Sequence, residues 1–166
     1  MAWVVHKILL GMHIILAMIW VGGIFFIGWG IYPVAKTMPV SQQQLFFRSL
    51  MQWTHWPLTL AGSGVIITGI LLGTVAGPIR HWHDLWNTTY GHIWLAALLI
   101  GLVTLAWGVF VGYRQAINIF TDDSLWQQAE SGDSVPLAKA MATVVAVESV
   151  EVIGFVALII CMLLLR

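Results

Sequence analysis

The sequence predicts an all-α fold, an integral membrane four-helix bundle with short interfacial helices. Of the 166 residues, 60% are hydrophobic and only 8% are charged, whereas soluble domains carry about 25% charged residues. A chain of this composition cannot cover a water-facing surface. Four stretches also reach the length of about 20 mostly apolar residues that a membrane-spanning helix needs. Backbone groups in lipid must pair within their own segment, so helices are expected in all four.

The four spans follow one another in a single domain, residues 1–166. Their predicted limits are about 4–32, 56–76, 90–113 and 137–165. The first span stops before Pro33, and the second before Pro78. Ser134 is the expected N-cap of the fourth span, and Pro136 suits its first turn.

Two connections carry helix signals of their own. Ser41 and Gln44 match a capping box, which predicts a short interfacial helix before the second span. Asp122, Asp123 and Ser124 each offer an N-cap and Gly132 a stop, which predicts a short polar helix between them. In the third span, small residues recur on one face and predict close helix packing. They are Ala97, Gly101, Thr104 and Gly108.

Most of the histidines fall on the side of the membrane where both chain ends lie. Imidazole is the commonest side-chain metal ligand and suits copper, zinc and iron. Histidines that lie at increasing depth from the surface into the membrane predict an entry route for a metal ion, with His13 as the deepest of them. The alternative is a group of interfacial histidines without a task. The five are His6, His13, His81, His83 and His92, and only His55 lies on the other side.

The spacing of seven residues places His6, His13 and Trp20 on one stripe of the first helix, where Trp20 is expected to line a pocket. A b-type haem held by histidines of the first and third helices would need two imidazoles at one depth. His92 lies at the mouth of its span, whereas His13 lies about 8 Å inside. Haem therefore stays an alternative that the spacing does not favour.

Glu148 and Glu151 form an acidic pair within the fourth span. Residues three apart share a helix face, and acids at membrane depth are costly to keep without a function. The pair is predicted to relay protons, to bind a cation or to hydrogen-bond to neighbouring helices. Glu151 lies about 18 Å from the membrane side that His13 is near, so these residues are expected to be successive stations rather than ligands of one ion.

Charge and motifs limit the remaining functions. Seven basic residues balance seven acidic ones, which argues against nucleic acid as a partner. Three basic residues on the side of the termini against four on the other favour both termini outside, in the periplasm of a Gram-negative bacterium. The single Cys161 forbids an internal disulfide. The sequence has no Gly-rich phosphate loop, HExxH or CxxC, so an enzymatic activity is left open.

The order of several of these residues resembles the copper-resistance D (CopD) domain family. The stretches that carry the resemblance are His13, Trp20–Gly23, Phe47-Arg48, Thr89–Gly91 and Glu148. The resemblance covers nearly the whole chain and implies an inner-membrane four-helix unit in copper uptake or tolerance. It implies polar roles for His13 and Glu148, with Tyr90 at the mouth of the third helix.

The chain departs from that family at Ala97, where the family often has a lysine. The four-helix bacterial protoporphyrinogen oxidases have a similar layout, with a histidine in the first helix and a lysine in the third. The missing lysine argues against that enzymatic role here.

The sequence therefore predicts an inner-membrane protein that binds or transports a metal ion, copper first. The outer histidines would collect the ion, His13 would receive it, and the acidic pair would carry protons or the ion further. The alternative is a b-type haem protein in electron transfer or tetrapyrrole oxidation. A third is a structural partner in a larger membrane complex, and homo-oligomerisation is also open.

Overall fold

A computed structural model describes residues 2–165 of the chain. These residues are helical apart from short connections, and none of them lies in a strand. Four helices are long and apolar enough to cross a membrane, which confirms the predicted fold class. They are Trp3–Ala35, Val40–Thr74, Thr89–Phe120 and Val135–Leu164.

Two of the four spans contain a short π-helical segment. The first span consists of α1 (Ala2–Phe25), the first π segment (Phe26–Ile31) and α2 (Tyr32–Ala35). The second span is α3 (Val40–Thr74), and the short helix α4 (Trp82–Asn87) follows it. The third span consists of α5 (Thr89–Trp107), the second π segment (Gly108–Gly112) and α6 (Tyr113–Phe120). The short helix α7 (Asp123–Glu130) leads to the fourth span, α8 (Val135–Leu164).

The interfacial helix predicted before the second span is not separate from it. One helix of 35 residues runs from Val40 to Thr74 and contains Pro57 without ending there. Gln43 and Gln44, in the stretch that resembles a capping box, donate hydrogen bonds to residues outside α3 instead. Gln43 donates to the Met38 carbonyl oxygen at 2.7 Å, and Gln44 donates to Asp123 Oδ1 at 2.8 Å. Polar residues that looked like a helix boundary therefore attach α3 to its neighbours.

The predicted helix between the third and fourth spans is present as α7. Asp122 is its N-cap and accepts a hydrogen bond from the Leu125 backbone N–H at 3.3 Å. Gly132 has φ +110° just after it, a conformation in which glycine avoids the steric cost of a side chain. Ser134 occupies the N-cap position of α8, although its side chain makes no capping bond.

The spans pack in chain order, α1 on α3, α3 on α5 and α5 on α8. The end of the bundle at α4, where α1 begins and α8 ends, is called the α4 end; the opposite end, at α7, is called the α7 end. Two buried apolar clusters stabilise the bundle. One joins Trp20, Ala61 and Phe155, with the Trp20 and Phe155 rings edge to face at 5.1 Å.

The second cluster lies at the α7 end. There Phe47 and Phe120 stack with ring centroids 5.1 Å apart, and α7 closes over them with the fully buried Trp126. The Trp126 indole N–H donates to the Ile119 carbonyl oxygen at 2.9 Å, so this buried ring leaves no polar atom unsatisfied.

Candidate functional site

A cavity of about 270 Å³ lies inside the bundle between the two apolar clusters. All four spans contribute to its wall, which is mainly apolar and aromatic. Several lining side chains carry functional groups. They are Met51, Thr54, His55, Thr59, Thr104, Tyr113, Met141, Glu148, Ser149 and Glu151.

The two glutamates rest against the second π segment. A Cβ atom added at Gly108 would overlap Glu151 Oε1, and one added at Gly112 would lie 2.9 Å from Glu148 Oε1 and 3.5 Å from Glu151 Oε1. Real Cβ atoms rarely approach other atoms as closely as the two shorter contacts, so a side chain at either position would displace a carboxyl group. These two glycines let both carboxyl groups lie against the backbone of the third span.

Neither carboxyl group is neutralised by another side chain. Among residues 2–165, no ion pair involves Glu148 or Glu151, although only 3% of Glu151 is exposed. Every fully buried side-chain polar atom in that range has a hydrogen-bond partner, and these carboxyl oxygens have none, so they keep accessible surface facing the cavity. Buried acids are normally paired because an isolated charge is costly in an apolar medium. The pair is therefore available to a cation or to protons.

His55 shares the cavity with the two glutamates. Its ring stacks on that of Tyr113, with centroids 3.8 Å apart and planes 25° from parallel. Sequence reasoning did not select His55, because it is the one histidine apart from the others. Successive spans run in opposite directions, and this alternation gives a signal that could have selected His55. His55 lies in the first half of the second span and Glu148 in the first half of the fourth, so both are nearer the α7 end.

Both π segments line this cavity. Gly28 and Trp29 come from the first, and Gly108 and Val109 from the second. A π-helical turn holds one residue more than an α-helical turn and is frequent at functional sites. Here the two segments reshape the first and third spans at the depth of the acidic pair.

His13 does not line the cavity. Its Nδ1 lies 2.8 Å from Thr68 Oγ1, and the Thr68 hydroxyl donates to the Gly64 carbonyl oxygen at 2.7 Å. A hydroxyl has one proton to donate, so His13 Nδ1 carries the hydrogen that binds Thr68. The geometry gives His13 a helix-joining contact between α1 and α3.

His6 and His92 make comparable contacts nearer the α4 end. His6 Nδ1 lies 3.2 Å from the Ala76 carbonyl oxygen, and His92 Nε2 lies 2.8 Å from the Trp86 carbonyl oxygen. A carbonyl only accepts, so each ring donates through the named nitrogen. These two histidines attach the ends of their helices to adjacent connections.

His81 and His83 are exposed beside α4. Their neighbour Asp84 accepts hydrogen bonds from the backbone N–H groups of His81 at 2.8 Å and Arg80 at 2.9 Å. These bonds hold the pKa of Asp84 below its usual value, because they favour the charged carboxylate. His83 Nδ1 lies 4.0 Å from Asp84 Oδ1.

The predicted site residues are therefore only partly brought together. Trp20, Glu148 and Glu151 line the cavity, whereas the five histidines of the predicted entry route do not, and Tyr90 is half-buried outside it. Within residues 2–165, no three His, Cys, Asp or Glu side chains are close enough together to hold one metal ion.

No protein-family model, curated protein or solved structure matches the chain. The resemblance to the copper-resistance D domain therefore stays a prediction from the residues that carry it.

Proposed function

We propose that this multi-pass membrane protein binds a metal ion in its internal cavity, with copper as the first candidate. The observation that carries the proposal is the pair Glu148 and Glu151, which line the cavity and lack an ion-pair partner in the described chain; Glu151 is buried and Glu148 is half-buried. A bound cation would supply the opposite charge that such a pair otherwise lacks.

The donor atoms around the cavity support copper. Carboxylates and imidazole suit Cu(II), and thioethers suit Cu(I). The cavity offers the acidic pair, the His55 ring and the thioethers of Met51 and Met141. The two carboxyl groups form the primary site, completed by water, and His55 is a separate station in the same cavity. In this assignment, Glu148 and Glu151 keep their predicted relay role and His55 replaces His13.

A b-type haem is the second candidate, and His55 is the observation that favours it, as an imidazole facing an aromatic cavity. The cavity fits this group poorly. Its volume of about 270 Å³ lies below the roughly 300–1,000 Å³ of typical organic-ligand pockets. Haem propionates are anionic, whereas the described lining has two glutamates and neither lysine nor arginine. A small cation matches this site better, and an absorption spectrum without a Soret band is the expected result.

The proposed orientation in the membrane rests on the distribution of basic residues. Lys36, Arg48, Arg114 and Lys139 lie towards the α7 end, and the positive-inside tendency assigns that end to the cytoplasm. We therefore propose a bacterial inner membrane location, periplasmic termini and a cavity in the cytoplasmic half of the bilayer. Copper binding supports a part in copper uptake or tolerance.

Copper binding by protein in lipid nanodiscs tests the proposal. The metal-free protein is exposed separately to Cu(I) and Cu(II), washed and analysed for bound copper. The double variant E148Q/E151Q removes both charges at nearly constant shape and is expected to lose at least tenfold in affinity. H83A, a histidine change on the exposed helix α4, is the matched control and is expected to retain binding. Equal binding by wild type and E148Q/E151Q, or loss of binding in H83A, would contradict the proposal.

A further inference from the structure

The cavity has one exposed edge. Among its lining residues, only four are exposed, and they belong to two elements: Gly28 and Trp29 of the first π segment, and Val145 and Ser149 of α8. Trp29 is 79% exposed and Val145 is 46% exposed. The other described lining residues are buried or half-buried. The cavity therefore opens sideways, between the first π segment and α8.

This lateral opening lies at the depth of the lipid chains. Val145 and Ser149 are about 15 and 21 Å along α8 from Val135, at about 1.5 Å per residue. The helix as a whole spans about 45 Å, and the hydrocarbon core occupies about 30 Å of that length. A molecule that enters between these elements comes from the bilayer rather than from water.

The ends of the cavity do not offer an equivalent entrance. The cluster of Trp20, Ala61 and Phe155 closes it towards the α4 end, and the stacked rings of Phe47 and Phe120 close it towards the α7 end. All five of these residues are buried. The lateral opening is the edge at which lining residues meet the outside.

The chemistry behind the opening selects for positive charge on an apolar molecule. Trp20, Trp29 and Tyr32 line the cavity together with Glu148 and Glu151. Aromatic faces attract cations, and this arrangement is typical of substituted-ammonium recognition.

We propose that the lateral opening admits the head group of a membrane-dissolved organic cation, a substituted ammonium that carries an apolar chain. A cavity of about 270 Å³ holds a small ammonium head group, and the chain stays in the opening among the lipid tails. This ligand uses the same carboxyl pair as the proposed copper site, but its binding does not require that copper binds.

Dodecyltrimethylammonium is the probe for this proposal. Binding to the full chain in phosphatidylcholine nanodiscs is compared with binding to empty nanodiscs, which measures simple partitioning. Dodecanol, which has the same chain without the charge, is the ligand control. Saturable binding of the ammonium, with none of the alcohol, is expected for the wild type. It is expected to weaken at least tenfold in E148Q/E151Q.

Two glycine substitutions test the entrance itself. A Cβ atom added at Gly28 meets nothing within 4 Å, so a side chain can begin there, and G28L places a leucine at the opening. Gly22 is also exposed and unobstructed on the first span, but it does not line the cavity, so G22L is the matched control. G28L is expected to lose at least tenfold in affinity for the probe and G22L to bind like the wild type, with both melting like the wild type. Wild-type binding by G28L would overturn the proposal.

The outcome separates this inference from the proposed function. If wild-type protein binds copper but shows no saturable ammonium binding, the lateral ligand is wrong and the copper proposal stands. If it binds the ammonium through the carboxyl pair but no copper, the copper proposal is wrong and the lateral ligand stands. If neither binds, both are wrong.

Discussion

Glu148 and Glu151 are the residues whose chemistry is hardest to explain by packing alone. Sequence reasoning identified them because two acids within a spanning helix are rare, and it also predicted Trp20 as a pocket residue. It could not predict His55, because stacking on Tyr113 depends on how α3 packs against α6. It also gave His13 a ligand role, which stays a prediction; the structure shows this ring hydrogen-bonded to Thr68 and outside the cavity.

The position of the Glu151 carboxyl group depends on the absence of a side chain at Gly108. G108A puts a Cβ atom onto the Glu151 carboxyl group, which must turn away from the third span to make room. G101A is the matched control, because its added Cβ would meet its nearest atoms, on Ile66 and Leu158, at 3.8 Å. Copper affinity, measured in nanodiscs, is expected to fall in G108A and to match the wild type in G101A. Equal copper affinities in the two variants would contradict this position of the Glu151 carboxyl group.

His13 is expected to stabilise the fold without contributing to copper binding. H13A removes the hydrogen bond to Thr68, which typically costs about 1–2 kcal/mol. T68V removes the same bond from the other side, so the double variant is expected to lose less than the sum of the two single losses. Unfolding measurements on the three variants test this. A loss of copper affinity in H13A with unchanged stability would restore the ligand role.

Asp84 makes the start of α4 sensitive to acid. Its pKa in the folded protein is depressed by the hydrogen bonds from His81 and Arg80, so its stabilising effect is fully present above the ordinary aspartate pKa of about 3.9. That effect is lost as the pH falls through the depressed value. Hydrogen exchange at the His81 and Arg80 amides, corrected for the intrinsic rate, is expected to accelerate below about pH 4 in the wild type. D84N is expected to remove this pH dependence, and an equally steep response in D84N would refute the assignment.

At the scale of elements, the sequence predicted the four spans and α7 with an N-cap among residues 122–124, but not the π segments. Apolar periodicity cannot reveal a π turn, because an extra residue is absorbed locally and the flanking helices keep their faces. The polar stretch at 41–44 was misleading for a related reason. Local capping residues indicate a boundary, yet Gln43 donates to the preceding connection at Met38 and Gln44 to the distant Asp123.

Removing one residue from the second π segment is expected to separate its role from that of the helices around it. Deleting Val109 converts the π turn towards an α turn and leaves the flanking helices nearly in phase. Gly108 and Gly112 then move away from the carboxyl groups of Glu148 and Glu151. Deleting Leu102 from the regular part of α5 instead turns the preceding part by about 100°.

Circular dichroism and copper titration test these two deletions. The Val109 deletion is expected to keep the helical signal and to lose at least tenfold in copper affinity, whereas the Leu102 deletion is expected to disrupt packing and lower the melting temperature further. Full copper affinity after deletion of Val109 would show that the π segment does not shape the site.

At the scale of the whole molecule, the apolar composition determines which surfaces face outward. With 8% charged residues, the chain can present only lipid-facing helices outward, and its few internal polar groups stand out. Those groups divide into two sets along the bundle. His6, His13 and His92, towards the α4 end, form hydrogen bonds that join helices and connections, and the two acids near the middle of α8 face a cavity that lies between two apolar clusters. Sequence position predicted that the histidines and the acids lie at different depths of the bundle. Only the three-dimensional packing shows that the acids have open space beside them.

The central claim is that the acidic pair in α8 is the metal site, and locating the metal tests it most directly. Crystals of the protein grown in lipid with copper, measured at energies on both sides of the copper absorption edge, give an anomalous difference map. A peak inside the cavity, within coordination distance of Glu148 and Glu151, is the predicted result. A peak at His81 and His83 with none in the cavity, or a cavity that stays empty of copper in fully loaded crystals, would contradict the account.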